Sequence, residues 1–126
     1  MSFTSHNRAY QDFLTLLTEF NELISNSSAN TSKSTVKQQF GQLQQWFEQN
    51  IDNITGEKIE ITYVPRWESI QREIKREFKL LNTDVLFLAS ARQAVTKNKR
   101  LKSIGDRLTK LSSYCQGIIE ETRNKE

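Results

Sequence analysis

A single histidine, His6, and a single cysteine, Cys115, stand in a chain of 126 residues. One copy therefore supplies neither a Cys/His zinc centre nor a disulfide framework. Nucleophilic chemistry at Cys115 would need a base beside the thiol. The one histidine lies near the other end of the chain, and Cys115 falls on an apolar helical seam, so the sequence predicts a buried structural thiol. No Gly-x-Gly-x-x-Gly, Walker loop or His-Glu-x-x-His occurs. The adjacent Glu120 and Glu121 close a helix without a paired-carboxylate setting. The expectation is a protein that is not an enzyme, with no catalytic residue, cofactor or metal ligand.

Cations offer a second kind of chemistry. Lys97, Lys99, Arg100, Lys102, Arg107 and Lys110 cluster with only Asp106 to offset them. Such a segment can neutralise phosphates, which gives the alternative of a nucleic-acid-binding accessory factor. It can also steer an acidic protein partner, or simply cover a solvated turn after a helix C-terminus. No aromatic stands within the cluster to stack a base, and no short recognition helix precedes it. Nucleic acid is thus the weaker reading. The charge is uneven along the whole chain: residues 1–60 hold four Lys/Arg against seven acids, so the net +3 arises entirely from the second half.

The elements that carry these residues follow from composition and period. With 36% apolar, 26% charged and 10% aromatic residues the chain can build a core. One proline and four glycines are too few turn residues for a many-stranded sandwich. Tyr10, Phe13, Leu14, Leu17, Phe20 and Ile24 recur at helical spacing and predict a first helix over about 5–24. The Ser/Asn/Thr run over 25–34 predicts a flexible loop. Val36, Phe40, Leu43, Phe47, Ile51 and Ile54 predict a second helix over about 34–53, capped by Ser34 or Thr35 and broadened by Trp46. Its glutamines take the polar face. Ile59, Ile61 and Tyr63 alternate as a strand would, but a lone strand has no pairing partner, so an extended connector is expected.

A long third helix starts near Pro65 and carries Trp67, Ile70, Ile74, Phe78, Leu81, Val85, Leu88 and Val95 on one face, over about 65–97. Asn82-Thr83-Asp84 could bend it. A fourth helix, about 99–122, places Leu101, Ile104, Leu108, Leu111, Cys115 and Ile118 in a heptad-like seam. The expected architecture is all-α: a single domain over 1–126, an antiparallel four-helix bundle.

On the third helix, Arg72, Lys75, Arg76 and Lys79 oppose the apolar stripe. Further along, Leu80, Leu86, Phe87, Ala91 and Ala94 also point away from it, so that stretch is apolar around most of its circumference and needs a cover. Burying Leu86 and Phe87 is worth roughly 3–6 kcal/mol, which predicts a contact surface and favours a homo-oligomer over an intramolecular lid. The same period puts Arg92 on the stripe, where it must either snorkel or pair with Asp84, Asp12 or Asp106. The longest apolar run, Val85 to Ala89, is far too short for a membrane span, and no signal peptide is visible. A cytoplasmic location without membrane insertion is expected, and the sequons at Asn26, Asn30 and Asn53 are expected to be incidental.

Leu80-Leu81-Asn82-Thr83-Asp84-Val85-Leu86-Phe87-Leu88, then Ala91-Arg92-Gln93-Ala94, Asp106-Arg107-Leu108 and Tyr114-Cys115, resemble the PatD family, the heterocyst frequency control proteins of cyanobacteria. Tyr10-Gln11-Asp12-Phe13 and the run from Phe40 through Trp46-Phe47-Glu48-Gln49 are similar more loosely; the Asn/Ser loop and the segment 59–63 match no part of the family pattern. The resemblance implies a small non-catalytic regulator of heterocyst differentiation that acts by binding another protein, with a cell-division component as a reasonable partner. It transfers no catalytic residue. Ala91-Arg92-Gln93 alone carries across, as a structural or contact motif.

Overall fold

The computed structural model describes residues 2–25 and 33–123. Among them are four α-helices: α1 (Ser2–Ser25), α2 (Lys33–Asn50), α3 (Val64–Ser90) and α4 (Ala94–Arg123). They form an all-α four-helix bundle in the cyclic order α1, α4, α3, α2. Each neighbour runs antiparallel to the next, as short connections require. The predicted stripes are the buried ones: Tyr10, Phe13, Leu17, Phe20 and Ile24 on α1, Phe40 and Phe47 on α2, and Ile104, Leu108, Leu111, Cys115 and Ile118 on α4.

Two kinds of packing hold the bundle. Rings dominate around α2: Phe78 stacks on Phe47 at 4.1 Å between centroids and meets Phe40 at 5.4 Å and Phe13 at 6.0 Å. Phe20 meets Phe40 at 5.7 Å. Aliphatic side chains, Cys115 and Thr122 line α4, which therefore approaches α1 and α3 more closely than α2 approaches either.

The buried polar side chains of Tyr10, Trp67, Gln71 and Asn7 are paired across the helices, as desolvation demands. The Trp67 indole N–H donates to the Tyr10 hydroxyl at 2.9 Å, that hydroxyl donates to Gln71 Oε1 at 2.7 Å, and Gln71 Nε2 donates to the Ile51 carbonyl at 2.8 Å. This relay ties α1 and α3 to the end of α2. Across the bundle, Asn7 Nδ2 donates to the Ile119 carbonyl at 2.9 Å and to Thr122 Oγ1 at 2.7 Å.

The connectors depart from the sequence reading. The second helix ends at Asn50, and Ile51 follows in a turn whose N–H still reaches the Phe47 carbonyl at 2.9 Å. It begins at Lys33, one residue before the expected cap. Most of the expected loop, residues 26–32, and the sequons at Asn26 and Asn30 lie outside the described residues. Residues 59–63 do not run on as an extended connector: Ile59 is extended, but 61–63 form a turn. A 3-10 turn at Gly56–Lys58 precedes them, and Ile59 N–H bonds the Gly56 carbonyl while Tyr63 N–H bonds that of Glu60. The compact turn sends Ile59 and Tyr63 into the end of the bundle and leaves Ile61 83% exposed, which accounts for the alternation without a strand.

The third helix is shorter than expected. It passes through Asn82-Thr83-Asp84 unbroken and ends at Ser90, so the turn is residues 91–93 and not the expected one at about 98. Ser90 Oγ donates back to the Leu86 and Phe87 carbonyls, and Ala91 is extended with its N–H on the Leu88 carbonyl. These bonds occupy carbonyls that a continuing helix would use. Val95 consequently belongs to the first turn of α4 and is 65% exposed. Arg92 lies exposed in the turn, off the stripe, and needs no buried counter-ion.

Burial pushes the Cys115 thiol and the Tyr10 hydroxyl well above their ordinary pKa values. The native state then holds protons that the unfolded chain releases, so stability must fall as pH rises beyond the ordinary thiol value, about 8.5. The expected slope is up to about 1.4 kcal/mol per pH unit for each group. Urea midpoints measured from pH 8 to 11 should decline, and Cys115→Ala should flatten the first part of that decline; a level profile would refute the burial of both groups.

Candidate interaction site at the α3–α4 corner

The site begins with two acids on the inner side of α3. Glu77 and Asp84 are seven residues apart, two turns on one face, and both are buried. Opposite them, α4 carries Arg100, Ser103 and Arg107 at spacings of three and four. Arg107 Nε donates to Asp84 Oδ2 at 2.7 Å and its Nη1 to Glu77 Oε1 at 3.2 Å. Ser103 adds a bond to Asp84 Oδ2 at 2.8 Å, Arg100 Nη1 reaches Asp84 Oδ1 at 3.2 Å, and Arg76 Nη1 reaches Glu77 Oε2 at 3.2 Å.

Each of the four carboxylate oxygens is thus engaged by a guanidinium. Burial opposes the charge on Arg107, but its hydrogen bonds to Asp84 and then Glu77 outweigh that and raise its pKa. The arrangement is a clasp that fixes α3 on α4. It offers no carboxylate oxygen unengaged by the protein itself, and so has the chemistry of a fastening.

The clasp continues to the surface through Arg100, whose guanidinium carbon lies 4.4 Å from the centre of the Phe87 ring. That distance is a cation–π contact. Phe87 is 49% exposed and the adjoining Leu86 51%. They sit about 100° apart on the outward side of α3, near its end.

Of the residues expected to mediate contact, Leu86, Phe87, Arg92 and Ala94 are exposed, Leu80 is half-buried and Ala91 is buried. Leu80 flanks the clasp, and Ala91 turns inward because the helix has already ended. The basic cluster divides. Arg100 and Arg107 point to Asp84 and Glu77 and belong to the fold, whereas Lys99, Lys102 and Lys110 are exposed and Lys97 is half-buried. An aromatic does stand beside the cations after all, because the third dimension brings Phe87 to Arg100.

Elsewhere, an open, largely apolar groove of about 380 Å³ separates α1 from α2, with Leu16, Phe20, Leu43 and Trp46 among its walls. No group of three or more His, Cys, Asp or Glu among the described residues could hold a metal ion. No helix among them is long and apolar enough to cross a membrane. Compared with family models, curated proteins and solved structures, the chain shows no significant match to any.

Proposed function

We propose that this chain is a non-catalytic regulator that works by binding another protein through the α3–α4 corner. The observation that carries this reading is the half-exposed pair Leu86 and Phe87, held in place by a buried ionic clasp. Two adjoining half-exposed apolar side chains, one of them stacked by Arg100 of the clasp, support a contact at this corner. The biological setting comes from the resemblance to the heterocyst frequency control proteins. Asp84, Leu86, Phe87 and Arg107, which carry part of that resemblance, are also residues of the clasp and of the corner. On this reading the protein limits how many cells of a filament become heterocysts, and a cell-division component is the partner to test first.

The test is expression in a heterocyst-forming filament with heterocysts counted along it. The wild-type chain should alter their frequency, and a Leu86→Ser/Phe87→Ser variant of unchanged helix content should not. Equal effects from both chains, or none from the wild type, would overturn the proposal.

A further inference from the structure

We infer that the partner offers an acidic segment, whose carboxylates meet the basic outward surface of α3 and the first turns of α4 while an apolar side chain covers Leu86 and Phe87. This rests on the protein-binding reading above and specifies its partner by charge. Between positions 72 and 110 the sequence holds eleven Lys/Arg against Glu73, Glu77, Asp84 and Asp106. Two of those four acids are buried in the clasp and present nothing outward. Lys79 lies on the same side of α3 as Leu86, about 10 Å earlier along the axis. Lys99 adjoins Arg100, the residue that overlies Phe87. Among the described residues Lys79, Lys99 and Lys102 make no ion pair; Lys79 stands at the rim of the α2–α3 groove that Glu48 and Asp52 also line, while Lys99 and Lys102 are exposed on α4.

Charge complementarity decides between occupants. A two-fold dimer over this surface would set the cations of one copy against those of the other, which costs affinity. The apolar area is also small: the exposed halves of Leu86 and Phe87 amount to on the order of 200 Å², against about 800 Å² per partner in a stable interface. A nucleic acid would draw on arginine forks, but Arg100 and Arg107 are committed to Asp84 and Glu77. Two apolar side chains are likewise too few to anchor the protein on a bilayer. An acidic segment with an apolar anchor uses both features at once. The hydroxyls beside the pair do not compete for it, since Thr83 and Ser90 bond to carbonyls of their own helix.

The experiment pans a displayed library of random 16-residue peptides against the full chain and measures affinities of the selected peptides by fluorescence anisotropy. The inference expects selected peptides rich in Asp and Glu with at least one Leu, Ile or Phe, bound more weakly as salt rises. Lys79→Gln/Lys99→Gln/Lys102→Gln should weaken them about tenfold. Leu86→Ser/Phe87→Ser should abolish binding while circular dichroism is unchanged. If selected peptides need Leu86 and Phe87 but are neutral or basic, or ignore the lysine variant, the acidic partner is refuted and the corner survives. If binding ignores Leu86→Ser/Phe87→Ser, the corner itself fails. Tighter retention of a 20-base-pair duplex or of phosphatidylserine vesicles than of any peptide would overturn the inference in favour of those surfaces. A dimer in sedimentation that Phe87→Ser dissolves would overturn it in favour of a second copy.

Discussion

Replacing Arg107 by alanine is expected to lower the free energy of unfolding by about 3–5 kcal/mol, roughly a fifth or more of the stability of an ordinary small domain. Among the described residues Arg107 is the one side chain that bonds both buried acids, Asp84 at 2.7 Å and Glu77 at 3.2 Å. Its loss leaves Glu77 with Arg76 alone, and that guanidinium is largely in solvent. Asp84 retains Arg100 and Ser103, so the heavier penalty falls on Glu77. The cost comes from stranding a buried charge more than from losing attraction, and a second variant separates the two. Changing Glu77, Asp84 and Arg107 together to apolar residues of similar size removes the stranded charges and should recover much of the loss. Urea denaturation followed by circular dichroism measures both. A single-variant effect below about 1 kcal/mol would place Arg107 among ordinary surface pairs and refute the clasp.

Phe78→Ala should cost a similar amount, about 3–5 kcal/mol. The ring is buried and touches Phe47 and Phe40 of α2 and Phe13 of α1, diagonally across the bundle. Those partners are large and cannot collapse far into the space, so a cavity persists and adds to the lost transfer energy. The matching control is Phe87→Ala. That ring is half in water and stacked by Arg100, so about 1 kcal/mol or less is expected. Melting temperatures of the two variants, scanned under identical conditions, should therefore diverge widely; equal losses would mean that Phe87 is as enclosed as Phe78.

The bundle was legible in the sequence because its stripes are long and regular. Phe13 to Ile24, Phe40 to Phe47 and Ile104 to Ile118 each repeat at three and four residues for several turns, and burial follows that period. The α3–α4 turn was not legible, because the helical period continues formally through 91–95. Only local bonds stop the helix, from Ser90 to its own carbonyls and from Ala91 to Leu88. Arg92 and Val95 were misplaced for that one reason.

The clasp was hidden differently. Glu77 and Asp84 share the face of Leu81, Val85 and Leu88, a position that an apolar count skips over. A spacing of seven for the acids, matched by three and four for Arg100, Ser103 and Arg107 on the next helix, was the available signal. The basic cluster was read as one patch because linear order cannot separate cations that face inward from those that face outward. Leu86 and Phe87 were recognisable as exposed because they oppose the stripe on both sides of it.

The most direct measurement of the central claim is hydroxyl-radical footprinting of the purified chain, alone and with a selected acidic peptide. Alone, Leu86 and Phe87 should label readily while Phe78, Phe13 and Tyr10 stay protected. With peptide, protection should spread to Leu86 and Phe87 and leave the core pattern unchanged. A free chain in which Phe87 is shielded as fully as Phe78, or a bound chain in which Leu86 and Phe87 label as before, would contradict the α3–α4 corner as the place where this protein meets its partner.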